Sequence, residues 1–154
     1  MTAGPLTSEE INRWRNFRFM VEETSLKVSR EVSSATGISG GQFGILSMLS
    51  AAPSRELRQQ ELADAMRWDR TRLSHQLTRM EKNGLVERKK GTDGTMIGIT
   101  VKGAEELTRV APTLAHAVRT HFLSKLTDVH LAQLVDILAA LRAESPSPAS
   151  GEFE

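Results

Sequence analysis

The stretch RQQELADAMRWDRTRLSHQLTRMEKNGLVERKKGTDGTMIGIT, residues 58–100, decides how this chain folds. Leu62, Ala63 and Met66 recur at helical spacing and form the buried stripe of a short first helix. After a tight turn that holds Trp68, Leu73, Leu77 and Met80 do the same for a second helix. Between those apolar positions the second helix is wholly polar: Arg70, Thr71, Arg72, Ser74, His75, Gln76, Thr78, Arg79 and Lys82. Asp69 stands where an N-cap would satisfy the free amides of its first turn. A two-stranded β-hairpin follows, turning through Gly91-Thr92-Asp93-Gly94-Thr95. Helix, turn, basic helix and hairpin in this order predict a winged helix-turn-helix, a unit that lays its second helix in the DNA major groove.

Charge is distributed in the same sense. From Arg67 to Lys90 there are eight Lys/Arg against three acids, whereas the rest of the chain holds twelve Lys/Arg against sixteen Asp/Glu. The net charge of only +1 therefore hides a concentrated positive patch, the electrostatic footprint of a polyanion-binding surface.

Residues early in a recognition helix point into the groove, so Arg70, Thr71, Arg72, Ser74, His75 and Gln76 are the candidates for base edges. Arg can fork onto guanine O6 and N7, and Gln can pair bidentately with adenine. The helical step of about 100° per residue means that they cannot all face the bases at once. Phosphate contacts fall to Arg58, Gln59, Arg79 and Lys82, to Arg88, Lys89 and Lys90 at the hairpin base, and to Thr92 and Thr95 near its tip. Trp68 is expected to pack beneath the turn.

Working outward, Thr7 with Glu10 makes a capping box for a long first helix. Its stripe is Ile11, Trp14, Phe17, Val21, Val28 and Val32, it runs to about Ala35, and Gly37 is its C-cap. Ser39 and Gln42 open the next helix, with Ile38 and Phe43 at the staple positions, and Pro53 follows its end. Beyond the hairpin, Thr100 caps a helix with the stripe Ala104, Leu107, Ala111, Leu114, Val118 and Phe122, bent at Pro112. Thr127 caps a last helix bearing Leu131, Leu134, Leu138 and Leu141. A lobe of about 60 residues offers little core to cover these terminal stripes, so a C2 homodimer through the terminal helices is expected.

The composition removes several function classes. Zero cysteines excludes disulfides, thiolate metal sites and thiol redox sensing. No run of about 18 apolar residues predicts a membrane span, and MTAGPLTSEE does not read as a secretory signal, so a cytoplasmic protein without a membrane partner is expected. The tail SPSPASGEFE, residues 145–154, reads as disordered. No glycine-rich phosphate loop, G-x-S-x-G elbow or cysteine nucleophile suggests an enzyme or a cofactor. No HExxH or Cys-based metal spacing exists; His116 and His121, five apart, do not share one helical face, and a site assembled across a dimer stays open.

The segment LADAMRWDRTRLSHQLTRMEKNGLVER, with the Ile99–Thr100 start of the helix after the wing, resembles the MarR-type (multiple antibiotic resistance regulator) winged-helix transcriptional regulators. The resemblance spans about Ile11 to Leu141 and implies a mainly α fold with a small β-hairpin wing. It implies one domain over 1–144, with the DNA-binding lobe at about 38–100 and dimerisation helices at about 8–36 and 101–143. It further implies a homodimer on a pseudo-palindromic double-stranded operator, with repression by analogy. Many members release DNA when a small aromatic or phenolic molecule binds between the dimerisation helices and the lobe. Trp14, Phe17, Phe19 and Phe43 are accordingly either core and dimer-interface residues or, for Trp14, Phe17 and Phe43 above all, the wall of such a pocket. The family wing usually carries an Asp followed closely by an Arg that enters the minor groove; here no Arg follows Asp93. The competing reading is a winged-helix protein–protein module, which would expose apolar residues on the outer face of the second helix.

Overall fold

The computed structural model describes residues 4–92 and 94–142. The expected tail, 145–154, and the wing residue Asp93 lie outside them. The chain runs α1 (Ser8–Thr36), α2 (Gly40–Ala51), β1 (Glu56–Arg58), α3 (Gln59–Met66), α4 (Arg70–Lys82), β2 (Val86–Gly91), β3 (Gly94–Ile99), α5 (Val101–His121), a 3-10 turn (Leu123–Lys125) and α6 (Asp128–Arg142). The fold is mainly α with a small antiparallel sheet, a winged helix-turn-helix lobe between long terminal helices.

The boundaries follow from caps. Thr7 and Glu10, and likewise Ser39 and Gln42, form reciprocal capping boxes. Gly37 ends α1 in the left-handed conformation at φ 75°, where a side chain would be strained. Thr100 accepts the Gly103 amide at 3.0 Å and opens α5. Thr127 accepts the His130 amide at 3.2 Å, and the His130 ring takes the Thr127 amide in return at 3.3 Å.

The wing is a three-stranded sheet of order β1-β3-β2 rather than a two-stranded hairpin. Strand β1 was absent from the sequence-based expectation because three residues show no alternation; its partner lies forty positions away, with Leu57 opposite Ile97. The core is the lobe's own: Ile45, Leu46, Leu49, Leu62, Leu73, Leu77, Met80 and Ile97 are fully buried. Among the described residues outside the lobe, only Val32 of α1 and the row Gly103, Val110 and Ala117 of α5 are buried with them. That row corrects the expected α5 stripe: Leu107 and Leu114 pack against the core, whereas Ala111 is exposed. Gly103 lets α5 approach the wing base, since a Cβ there would stand 2.1 Å from the Leu85 carbonyl oxygen. Helix α5 continues unbroken through Pro112. Among the described residues no helix is long and apolar enough to cross a membrane.

Candidate nucleic-acid interface

Helix α4 presents its outer face because Leu73, Leu77 and Met80 hold the opposite one in the core. Asp69 caps it, accepting the Arg72 amide at 2.8 Å. At about 100° per residue, Thr71 and His75 lie about 200° from Leu73 and form the crest, with Arg79 and Lys82 continuing it. All four are exposed. Arg72 flanks the crest, its guanidinium 4.1 Å from the centroid of the Trp68 ring. Arg70 and Gln76 lie about 60° from the buried row instead, one on each side. Gln76 is accordingly half-buried, while Arg70, at the helix start, stays exposed. Ser74 is half-buried, and its carbonyl is already engaged by the wing.

Arg70 does not stand alone. With Gln59, Gln60, Ala63, Leu73 and Thr95 it lines a cleft of about 320 Å³ between α3, α4 and β3. Gln60 was missed in the sequence; it lies one step from Gln59 on the short α3, where a window of eight residues gives little directional signal. Arg58 donates its backbone N–H to Glu61 at 2.9 Å, which sets the start of α3.

The wing cations separate into three fates. Arg88 is turned inward: its guanidinium donates to the Ser74 carbonyl at 3.0 Å, to Thr78 Oγ1 at 3.2 and 3.3 Å and to Glu81 at 3.3 Å. It ties β2 to α4 rather than offering its charge to phosphate, and its Nε is buried without a partner among the described residues. Lys89 pairs with Glu56 and, at 3.1 Å, with Glu87. The hydrogen bonds that it donates to Glu56 and then to Glu87 raise its ammonium above the ordinary lysine range. It therefore stays charged at neutral pH, but two carboxylates already share that charge. Glu56 and Glu87 flank Gly98 from the two neighbouring strands, so this cage exists only because β1 is in the sheet. Lys90 is exposed with no ion pair or hydrogen bond among the described residues, and Thr92 is exposed at the tip.

A second feature lies behind the lobe. An apolar cavity of about 840 Å³ is walled by α1, α2 and α5, including Phe17, Val21, Phe43, Leu114, Val118 and Phe122. Among the described residues its polar groups are Asn16, Thr24, Ser25 and Ser29, and no charged side chain lines it. Phe17 and Phe43 are therefore brought together as expected of pocket residues. Trp14 is not: it sits a turn before the cavity, 58% exposed, its ring tilted against Phe17 with 6.2 Å between centroids. Phe19 is exposed.

His116 and His121 do converge, although their spacing on α5 argued against it, because the meeting point is on another helix. Glu31 of α1 takes His121 Nε2 at 2.7 Å and stands 3.8 Å from His116 Nε2. Among the described residues no group of three His, Cys, Asp or Glu has the arrangement to hold a metal ion.

The profile of the MarR family matches residues 36–94. Among solved structures the chain is similar to Sco3205 from Streptomyces coelicolor, a MarR family transcriptional regulator in complex with DNA. That match has 31% identity over 95% of this chain and 94% of the other, with a TM-score of 0.83. The chain is similar also to AbsC, a MarR family transcriptional regulator from the same organism, at 29% identity over 92% and 100% and a TM-score of 0.77. A further similarity is to the organohalide-sensing RdhR transcriptional regulator in its 2,4-dichlorophenol-bound form, at 21% identity over 94% and 88% and a TM-score of 0.74. Comparison with curated proteins gives no match.

Proposed function

This chain belongs to the MarR family, a DNA-binding transcriptional regulator rather than an enzyme, and from that premise we propose that it acts in the cytoplasm as a homodimeric repressor. In this reading α4 enters the major groove of each half-site of a pseudo-palindromic operator. The observation that carries it is the outer face of α4: Thr71, Arg72, His75 and Arg79 stand exposed over a fully buried apolar row. An interaction module of the same shape would show apolar side chains there.

Base readout is assigned to Thr71 and His75 on the crest and Arg72 beside it, with Arg70 reaching from the α3–α4 cleft and Gln76 from the flank. Arg79, Lys82 and Lys90 are assigned to phosphate. With neither an arginine after Asp93 nor a free Arg88, operator choice rests on the major groove and depends little on the bases flanking each half-site. The homodimer is supported by the terminal helices, where Trp14, Val21, Ile137 and Leu141 are exposed on an otherwise folded chain. The cavity between α1, α2 and α5 suits a neutral, apolar aromatic effector, because its described lining supplies hydroxyl and amide groups but no counter-charge for a carboxylate or phenolate.

Selection of duplexes from a random-sequence pool by the purified full chain tests the reading. Enrichment of a two-fold symmetric sequence, bound at two chains per duplex, is expected. Failure to enrich any sequence would overturn it. Displacement of that duplex by neutral 2,4-dichlorophenol, stronger at pH below the phenol's own ionisation than above it, tests the effector assignment.

A further inference from the structure

The indole of Trp68 touches two elements that a buried turn residue need not join. Over its face stands the Arg72 guanidinium, 4.1 Å from the ring centroid. Against its outer edge stands Gly41 of α2, where a Cβ would come within 2.7 Å of Trp68 Cη2 and 3.2 Å of Cζ2. Arg72 is exposed, and among the described residues its guanidinium makes no hydrogen bond or ion pair.

A guanidinium that stacks on an indole uses its face and keeps its N–H donors, which lie in its plane, free at the edges. The stack therefore restrains the side chain without consuming the groups that read a guanine or a phosphate. Arg in solution samples many rotamers, and ordering them is part of what binding costs. An arginine already held in one of them, beside the crest of α4, loses less of that freedom when DNA arrives. Gly41 has a matching role: the absence of a side chain there lets the indole stand where Arg72 can lie across it.

We propose that Trp68 is a positioning residue for DNA readout, holding the Arg72 guanidinium in its DNA-reading orientation from a seat provided by Gly41. The proposal rests on the reading of α4 as the DNA-contacting helix. A purely structural Trp68, one that only fills space beneath the turn, would affect DNA binding through folding alone and without reference to Arg72.

A double-mutant cycle on the full chain separates the two, with affinity measured by fluorescence anisotropy for the best duplex selected from a random pool and for an unselected duplex. Trp68→Leu keeps apolar bulk and removes the ring. It should weaken the selected duplex about two- to fivefold, the range of an exposed cation–π contact, and the unselected duplex much less. In the Arg72→Ala background the same change should have no further effect. Trp68→Phe, which keeps a ring, should fall between Leu and the native residue. Equal losses from Trp68→Leu with and without Arg72 would overturn the proposal and leave Trp68 structural. If Arg72→Ala weakens binding and Trp68→Leu does not, the positioning role falls while the reading of α4 stands. A pool that enriches no sequence would remove that reading, and the proposal with it. Should Trp68→Leu fail to fold, Gly41→Ala, which displaces the indole edge, carries the same cycle with the same expected coupling to Arg72.

Discussion

The winged-helix lobe and the terminal helices are written in the same amphipathic code and end in opposite states. In the lobe, Leu62, Leu73, Leu77 and Ile97 lose all contact with solvent. On α6, whose leucines recur just as regularly, no residue is buried. The first half of α1 is likewise uncovered, with Phe17 50% and Val21 49% exposed. A periodic stripe states that a face is to be covered and says nothing about what covers it. In the lobe, short connections fold three helices onto a sheet, so the cover is local. The terminal helices reach beyond that body, and among the described residues nothing buries the stripe of α6 or of the first half of α1.

The strongest challenge to this contrast is Leu77→Ala, which opens a cavity in a fully buried site. It should lower unfolding stability by about 2–5 kcal/mol in a denaturant titration. A loss below about 0.5 kcal/mol, the usual scale for surface changes, would mean that the lobe is not the stable body. Gly103→Ala comes next. Its methyl meets the Leu85 backbone oxygen, which cannot swing away as a side chain would. A cost of about 1–3 kcal/mol is expected, read as a lowered midpoint with unchanged slope.

Leu138→Glu probes the other side. Leu138 is 42% exposed in the single chain, so the lobe should unfold almost as before. Self-association should weaken by about tenfold or more, roughly 1.4 kcal/mol, seen by light scattering across a dilution series. An unchanged dimer, or a native chain that scatters as a monomer, would break the assignment of α6 to the interface.

Within the wing, Arg88→Ala and Lys89→Ala sharpen the contrast on a smaller scale. Arg88 bridges Ser74, Thr78 and Glu81 on α4, and its loss should cost about 1–2 kcal/mol of stability. Lys89→Ala should scarcely change stability, since its pairs are exposed. It should also change the salt dependence of DNA binding less than Lys90→Ala, which is expected to reduce the slope by about 1. Equal slopes for the two would show that DNA draws Lys89 away from Glu56 and Glu87.

The smallest effect belongs to the start of α1. Glu10 accepts the Thr7 amide at 2.7 Å, and that bond, then the one from the Thr7 hydroxyl, holds its carboxyl below the ordinary value of 4.5. A depressed carboxylate stabilises above its unfolded pKa and loses the contribution as pH falls through the folded one. The first turn of α1 should therefore fray on acidification below about pH 4.5. Amide exchange at Glu10 and Ile11 reports it, and Glu10→Gln, which removes the titrating group, should abolish the pH dependence.

The sites show where sequence reasoning reached and where it stopped. The caps Thr7, Ser39, Asp69 and Thr100 were all legible, because each binds an amide three residues away. The buried row of α4 was legible for the same reason, since its period lies within two helical turns. Arg88 and Lys89 look alike in sequence, both basic and both at the hairpin base. Their fates diverge because Arg88 meets α4 across seven to fourteen residues and Lys89 meets Glu56 across thirty-three. Only the placement of β1 beside β3 brings that carboxylate within reach. Trp14 and Phe17 also looked alike as pocket residues; one helical turn along α1 separates the exposed ring from the cavity wall.

Local chemistry, carried by side chains within about four residues of one another, was enough for the sequence by itself to determine the helices, their caps, the basic outer face of α4 and so the family and its ligand, DNA. Tertiary structure alone decided which charges are free to meet that DNA. It also decided that α5 buries Gly103, Val110 and Ala117, that Glu31 collects both His116 and His121, and that Trp68 stands between Gly41 and Arg72. The physical reason is range. A cap or a stripe is satisfied by neighbours that the chain cannot avoid, whereas an ion pair or a stacked ring depends on which distant segment the packed core brings alongside.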